Sequence, residues 1–374
     1  MVPREGPSPQ PSPRFRRERE RTFAREVVWA APMSDEELIG PGAQVAGWFN
    51  THAKRVTQLR VDAFREALPE ARVFAASTFD EAKAHADALV KNPPRIIFCG
   101  GGDGTIVTLL NFLRDRGMKQ FPLIGLFKLG TGNGWPSAVG AKGYERTLKQ
   151  LPGLKLAPRT HHFQLCEVQG RVCQFAGVGW DATLLHDYKR NLAKREKQIL
   201  AGGVAATLSK GVGGYLYSLF RLTVPDELAR AREGRTRIKV ENIGEPAYTF
   251  DGRGQVIKAP SEPVLYEGPM SIATAGVEPY WGAKFKAYPH AYLVPGRLNF
   301  RVYDRHVLIG VNNMFKLWNG TELEGMYDWW VTGVRLHLSR PMPYQLGGDV
   351  FEPREVVDFT LARETVDLID WDQN

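Results

Sequence analysis

The segment Arg95-Ile-Ile-Phe-Cys-Gly-Gly-Gly-Asp-Gly-Thr105 joins two patterns that together point to one layout. Its first half is a short unbroken apolar run between Pro94 and Gly100, as in a strand buried on both faces of a parallel sheet. Its second half is a glycine-rich turn. The turn opens a run in which Ile106, Leu109, Leu110 and Leu113 fall at i, i+3, i+4 and i+7, one face of a helix. Upstream, Thr78-Phe-Asp-Glu81 has capping-box spacing and predicts a helix running to Val90, ended by Asn92, Pro93 and Pro94. A strand is predicted over Ala71 to Ala76, and the stripe Val56, Leu59, Ala63, Ala67 predicts an earlier helix. Downstream, Leu123 to Phe127 reads as another buried strand and runs into a second turn, Gly130-Thr-Gly-Asn-Gly134. Strand and helix alternate from about 44 to 150, the pattern of an α/β unit with a parallel sheet.

After about residue 160 the pattern changes. Leu298-Asn-Phe-Arg-Val302, Val334-Arg-Leu-His-Leu338 and parts of Val356 to Leu361 alternate apolar and polar residues, which predicts half-buried antiparallel strands. Frequent Gly and Pro suggest a β-rich sandwich or barrel. The stretch 183–233 is the exception, with a helix-like pattern carrying Lys189, Arg190, Lys194, Arg195 and Lys197. The first 40 residues differ again: five prolines between Pro3 and Pro13, then alternating Arg and Glu to Glu26. Such a segment buries too little apolar surface to offset its ordering entropy and reads as a solvated extension.

The chain has 374 residues, 49 Lys and Arg against 41 Asp and Glu, and 43% hydrophobic residues, which excludes wholesale disorder. Cys99, Cys166 and Cys173 are too few for a disulfide framework and form no CxxC pair, so a reducing, intracellular compartment is expected. No run approaches the roughly 18 apolar residues of a membrane span. No apolar region follows the N-terminal arginines as in a signal peptide. A formal charge of +8 suits nucleic acid, but no recognition motif accompanies it.

The two glycine turns carry the chemistry. Ligands of open α/β sheets bind beyond the carboxyl ends of the strands, where both turns lie. Glycine admits close approach of a ligand to the backbone, and free N–H groups at a helix start favour phosphate. Asp103 is the odd member, because an anion beside phosphate is repelled unless it holds Mg2+ or accepts a proton. In the second turn, Thr131 offers a hydroxyl and Asn133 both a donor and an acceptor.

Gly101-Gly-Asp-Gly-Thr105 followed by Leu129-Gly-Thr-Gly-Asn133 resembles the catalytic domain shared by diacylglycerol kinases, sphingosine and ceramide kinases and bacterial lipid-kinase relatives. Phe175-Ala-Gly-Val-Gly-Trp-Asp-Ala182, Pro279-Tyr-Trp-Gly282, Pro289-His-Ala291, Pro295-Gly-Arg-Leu298 and Gly348-Asp349 extend the likeness over about 44 to 362. The resemblance implies a phosphofructokinase- and NAD-kinase-like N-terminal α/β domain with a parallel sheet, followed by a β-rich sandwich domain. The division it suggests is an extension over 1–43, a nucleotide-binding α/β domain over 44–158, and a β-rich substrate domain over 159–374. The last strand is a candidate to return to the first domain.

It further implies an ATP-dependent lipid kinase that moves the γ-phosphate to a hydroxyl of a diacylglycerol- or sphingoid-like membrane lipid, with ATP and Mg2+ as cofactors. ATP contacts then fall on Thr78, Gly101, Gly102, Asp103, Gly104, Thr105, Ile106, Val107, Thr131, Gly132 and Asn133, with Asp103 also a metal ligand. The family's proton-accepting Glu falls on Asp349. Asp103 and Asp349 both remain candidates for the base. Asn50 and Lys54 stand where the family has a fuller phosphate-binding pattern, Lys128 replaces a usual proline, and Pro295 takes the position of an Asp that ligates a structural Mg2+ in many bacterial members. The expected location is cytoplasmic with peripheral contact at the inner membrane face. The basic run 189–197 could meet anionic headgroups there. Tyr280, Trp281 and Tyr288 line an acyl cleft or pack in the core. The alternatives are an NAD kinase and a non-catalytic nucleotide-binding relative.

Overall fold

The computed structural model describes residues 44–130, 132–154, 158–180, 182–183, 185–186, 234–281 and 285–372. The N-terminal extension, Thr131 and the basic run 189–197 lie outside the described residues.

Four parallel strands open the fold: β1 (Val45–Asn50), β2 (Arg72–Ala76), β3 (Ile96–Gly101) and β4 (Leu123–Lys128), in the order β2-β1-β3-β4. Helices α1 (Gln58–Ala67), α2 (Phe79–Lys91) and α3 (Asp103–Asp115) connect them. Strand β3 is buried along its whole length, as its unbroken apolar run requires. Phe49, Phe64, Phe98 and Phe127 interlock at its centre, with ring centroids 5.2 Å apart for Phe49 and Phe64 and 6.0 Å for Phe98 and Phe127. The predicted stripe of α1 is corrected: Val61 and Phe64 face the core, and Leu59 is 80% exposed. Two short helices follow β4, α4 (Gly134–Ala138) and α5 (Tyr144–Gln150).

The remainder is built almost wholly from antiparallel strands: β5 (Thr160–Val168), β6 (Arg171–Cys173), β7 (Phe175–Gly179), β8 (Arg237–Asn242), β9 (Tyr248–Phe250), β10 (Val256–Lys258), β11 (Val264–Pro269), β12 (Ile272–Gly276) and β13 (Leu298–Tyr303). After helices α6 (Val307–Asn312) and α7 (Met314–Trp318) come β14 (Met326–Val331), β15 (Gly333–Leu346) and β16 (Asp349–Ile369). Strand β15 serves two neighbourhoods: Val334 to Leu338 pair with β8, and Tyr344 to Leu346 pair with β7. Phe300 of β13 meets Phe359 of β16 at 6.3 Å within the core this encloses. The far end of β16 lies parallel to β4, Leu368 opposite Ile124, so the last long strand extends the first sheet.

Helix α3 stands between the two cores. Ile106, Leu109, Leu110 and Leu113 belong to the first, and Val107 belongs to the second. Asn111 locks this junction: its Nδ2 donates to Val172 O at 2.8 Å and its Oδ1 accepts from Val172 N at 3.0 Å. The three cysteines are buried and unpaired with one another. No helix among the described residues is long and apolar enough to cross a membrane.

Strand β13 departs from the predicted half-burial, since all six of its residues are buried. Its polar members face an internal acid. Arg301 Nη2 donates to Asp328 Oδ2 at 3.2 Å, and Asn299 Nδ2 donates to Asp328 Oδ1 at 2.9 Å. Burial alone would raise the Asp328 carboxyl, but the charges of Arg301 and His290 and these hydrogen bonds outweigh it and hold it below the ordinary range. Its contribution to stability is therefore present above the unfolded-state pKa and disappears as pH falls through the lower folded value. Arg301→Ala, which strands the acid, should lose about 3–5 kcal/mol in urea unfolding at neutral pH. The double variant Arg301→Met/Asp328→Leu should lose much less.

Candidate functional site

The first turn is shaped by what its glycines omit. A methyl group on Gly101 would lie 2.3 Å from Thr105 Oγ1, so only a bare Cα lets Thr105 fold back against the strand end. Thr105 Oγ1 in turn accepts from Asn50 Nδ2 at 3.2 Å, which ties the carboxyl end of β1 to the start of α3. Gly102 occupies the N-cap of α3 without a side chain to fill the position. The side chains of Ile106 and Val107 are committed to the two cores, which leaves their backbone as the part able to face a ligand.

The second turn lies directly against the first. A methyl group on Gly130 would sit 2.2 Å from Gly102 Cα and 3.0 Å from Gly102 N, so the two turns are in backbone contact. Asn133 adopts the left-handed conformation, φ 50°, and closes its own loop. Its Oδ1 accepts from Gly130 N at 2.9 Å and its Nδ2 donates to Gly130 O at 2.6 Å. The donor and acceptor that the sequence reading assigned to a ligand are thus engaged within the turn. Gly132 lies in this loop, half-buried, and Thr131 is outside the described residues. Arg55 reaches the same carbonyl, Nη1 donating to Gly130 O at 3.4 Å.

Asp103 joins the two turns. Gly134 N donates to its Oδ2 at 3.0 Å and Trp135 N to its Oδ1 at 3.2 Å, so the carboxylate satisfies the first N–H groups of α4. Holding a metal or taking a proton are therefore not the only ways to accommodate an acid in this turn, as the sequence reading assumed. Burial raises the Asp103 carboxyl above its usual range, opposed by the N–H groups of Gly134 and Trp135.

Asp349 approaches from the second half of the chain. It follows the turn Gly347–Gly348, both at positive φ, whose Gly347 N donates to Phe175 O at 2.8 Å. A methyl group at Gly104 would lie 3.8 Å from Asp349 Oδ2, so this carboxylate stands beside the first turn of α3. Thr78 lies beyond the end of β2, where it is exposed and caps α2: its Oγ1 accepts from Glu81 N at 3.2 Å. Lys128 ends β4 opposite Gly101, and Lys54 is exposed. Tyr288 is buried, with its hydroxyl 2.5 Å from Thr274 Oγ1 and accepting from Trp281 Nε1 at 2.9 Å, which places it in the core.

Two more polar side chains converge here that the sequence reading passed over. Glu278 and Gln174 are both fully buried, and among the described residues neither their carboxyl nor their carboxamide atoms have a hydrogen-bond partner. Burial pushes the Glu278 carboxyl well above its usual range, and the negative charge of Asp103 adds to the effect. The one clue in the sequence was an acid directly before Pro279-Tyr-Trp, in a stretch that otherwise reads as apolar. Arg55 offered no spacing signal.

Residues 46–168 match the model of the diacylglycerol kinase catalytic domain family, so the resemblance read from the two turns is borne out over this part of the chain. No curated protein matches the chain by sequence. The fold is shared with a diacylglycerol kinase from Bacillus anthracis at a TM-score of 0.54 and 14% identity, covering 88% of this chain and 97% of that one. A second structure from that organism, whose diacylglycerol kinase assignment is provisional, gives a TM-score of 0.58 at 16% identity and covers 89% and 98%. A third of the same kind gives 0.56 at 16%, covering 87% and 97%. Identities this low establish a common architecture, an α/β unit followed by a β-rich one.

The backbone contact between the turns can be tested by one methyl group. Gly130→Ala should destabilise the protein by about 1–3 kcal/mol in urea unfolding, the ordinary cost of forced overpacking. Gly143→Ala, where nothing lies within 4 Å of the added carbon, should leave stability within about 1 kcal/mol of the parent.

Proposed function

We propose that the chain is an ATP-dependent lipid kinase that transfers the γ-phosphate to a hydroxyl of a membrane lipid, diacylglycerol-like or sphingoid-like. The observation that carries this reading is the contact of two glycine turns at adjacent strand ends, bridged by Asp103, with the carboxylate of Asp349 brought beside the first turn of α3. Phosphoryl transfer asks a protein chiefly to position groups and to neutralise charge. Gly104 leaves open space beside the start of α3, where an added methyl would meet nothing nearer than Asp349 Oδ2 at 3.8 Å, and a helix start favours the charge of a polyphosphate. Thr131 and Thr78 belong to the proposed nucleotide contacts, Thr78 in addition to its capping role.

The division of labour follows from position. Both Asp103 oxygens are engaged with α4, so Asp103 organises the second turn and can still offer lone pairs to a cation. Asp349, whose Oδ2 stands beside Gly104 in the first turn of α3, is the acceptor proposed for the proton of the attacking hydroxyl. The donor set fits Mg2+. Among the described residues no three His, Cys, Asp or Glu side chains gather closely enough to hold an ion by themselves. Mg2+ ordinarily takes one or two carboxylates and completes its shell with phosphate oxygens and water. When bound, it would neutralise charge on the phosphate oxygens; Asp103 is the residue proposed to hold it.

Incubating the protein with labelled ATP and a mixed lipid extract, with NAD in a parallel arm, should give a phosphorylated lipid and no phosphorylated dinucleotide. Label entering NAD alone would overturn the lipid assignment, and label entering neither would overturn the activity. Asp349→Asn should lower kcat by about 10²–10⁴ with nucleotide affinity retained. Asp103→Asn should weaken nucleotide binding as well, because it loosens the second turn. Equal nucleotide affinity in the two variants would undo this separation of roles.

A further inference from the structure

Glu278 is the least expected side chain near this site. It lies two residues beyond the end of β12, where Gly276 pairs with Phe175 of β7 and Val277 N donates to Gln174 O at 3.0 Å. Phe175 also accepts from Gly347 N, so residues 174–175, 276–278 and 347–349 form one edge of the second half of the molecule. A methyl group on Gly347 would lie 3.0 Å from Gln174 Oε1, which puts the Gln174 carboxamide under the turn that presents Asp349. The Glu278 carboxyl, fully buried, has no hydrogen-bond partner for either oxygen among the described residues and lies within the electrostatic reach of Asp103.

A buried carboxyl without a partner is costly, and a second acid close to it makes the arrangement worse. A residue serving only the packing would be apolar or hydrogen-bonded. Both objections vanish when a cation enters, since two carboxylates facing one positive ion attract it and shed their mutual repulsion. Each Asp103 oxygen accepts from one N–H of α4, Gly134 or Trp135, and a carboxylate oxygen can face a cation beside such a bond. Hard divalent cations prefer oxygen ligands of this type, and their remaining positions suit phosphate.

We propose that Glu278 is a cation-binding residue of this site, receiving together with Asp103 the divalent ion that accompanies the nucleotide. The inference rests on the kinase reading above and adds to it a carboxylate from the second half of the chain.

The test uses the full chain saturated with ADP and titrated with Mn2+, free Mn2+ being read by its electron paramagnetic resonance signal. The parent should bind one Mn2+ more tightly than ADP alone does. Glu278→Gln should weaken that binding by roughly tenfold or more, and Glu278→Asp should recover part of the loss. Nucleotide affinity measured in EDTA should be the same in parent and Gln variant. The metal-free Gln variant should also melt no lower than the parent, because an amide of the same shape replaces a buried carboxyl that has no hydrogen-bond partner among the described residues. Parental Mn2+ affinity in the Gln variant would overturn the role of Glu278 and leave the kinase reading intact. So would a lower melting point accompanied by weakened nucleotide binding in EDTA, which marks a structural residue. A parent protein that binds neither ADP nor Mn2+·ADP would overturn the kinase reading, and this inference with it.

Discussion

The arrangement of the whole site depends on one carboxylate with two backbone partners. Asp103 begins α3, yet its side chain is spent on Gly134 and Trp135 at the start of α4. Helix starts leave N–H groups without partners, and α4, only five residues long, could not retain its position through its own hydrogen bonds. The acid therefore sets the distance between the two turns, and the contact of Gly130 with Gly102 follows from it. A larger residue at either glycine would force the turns apart and pull Asp103 away from its donors. Charge and the lack of side chains act here as one device.

The parts of the fold visible from sequence were those in which a local rule and the tertiary structure agree. The run Ile96–Cys99 is apolar because β3 is covered on both faces, and the spacing of Ile106, Leu109, Leu110 and Leu113 matches the buried face of α3. The Thr78 to Glu81 box formed as its spacing requires. Alternation failed on β13, because Arg301 and Asn299 look like surface residues until Asp328 is brought opposite them from a strand 27 positions away. The stripe on α1 failed for a related reason. Leu59 satisfies the helical period, but the aromatic cluster recruits Phe64 and Val61.

The site was legible in its glycines and much less so in its acids. That Gly102 and Gly130 meet could be inferred from two turns at adjacent strand ends. What Asp103 does could not, because its partners are backbone N–H groups that no spacing identifies. The loop-closing role of Asn133 was equally hidden, since its amide meets the backbone of Gly130 within its own turn. Glu278 and Arg55 carry no motif at all and reach the site only through the folded path of the chain.

The pairing of β16 with β4 has a further consequence for how the molecule is made. Until the final strand emerges from the ribosome, β4 is an open edge with unused N–H and C=O groups, the kind of surface that invites aggregation. The first half of the chain, although it carries both glycine turns, must wait for β16 before its sheet is complete. Trp371, buried against Phe98, then closes that edge from the C-terminal side. Biosynthesis thus couples completion of the first sheet to synthesis of β16.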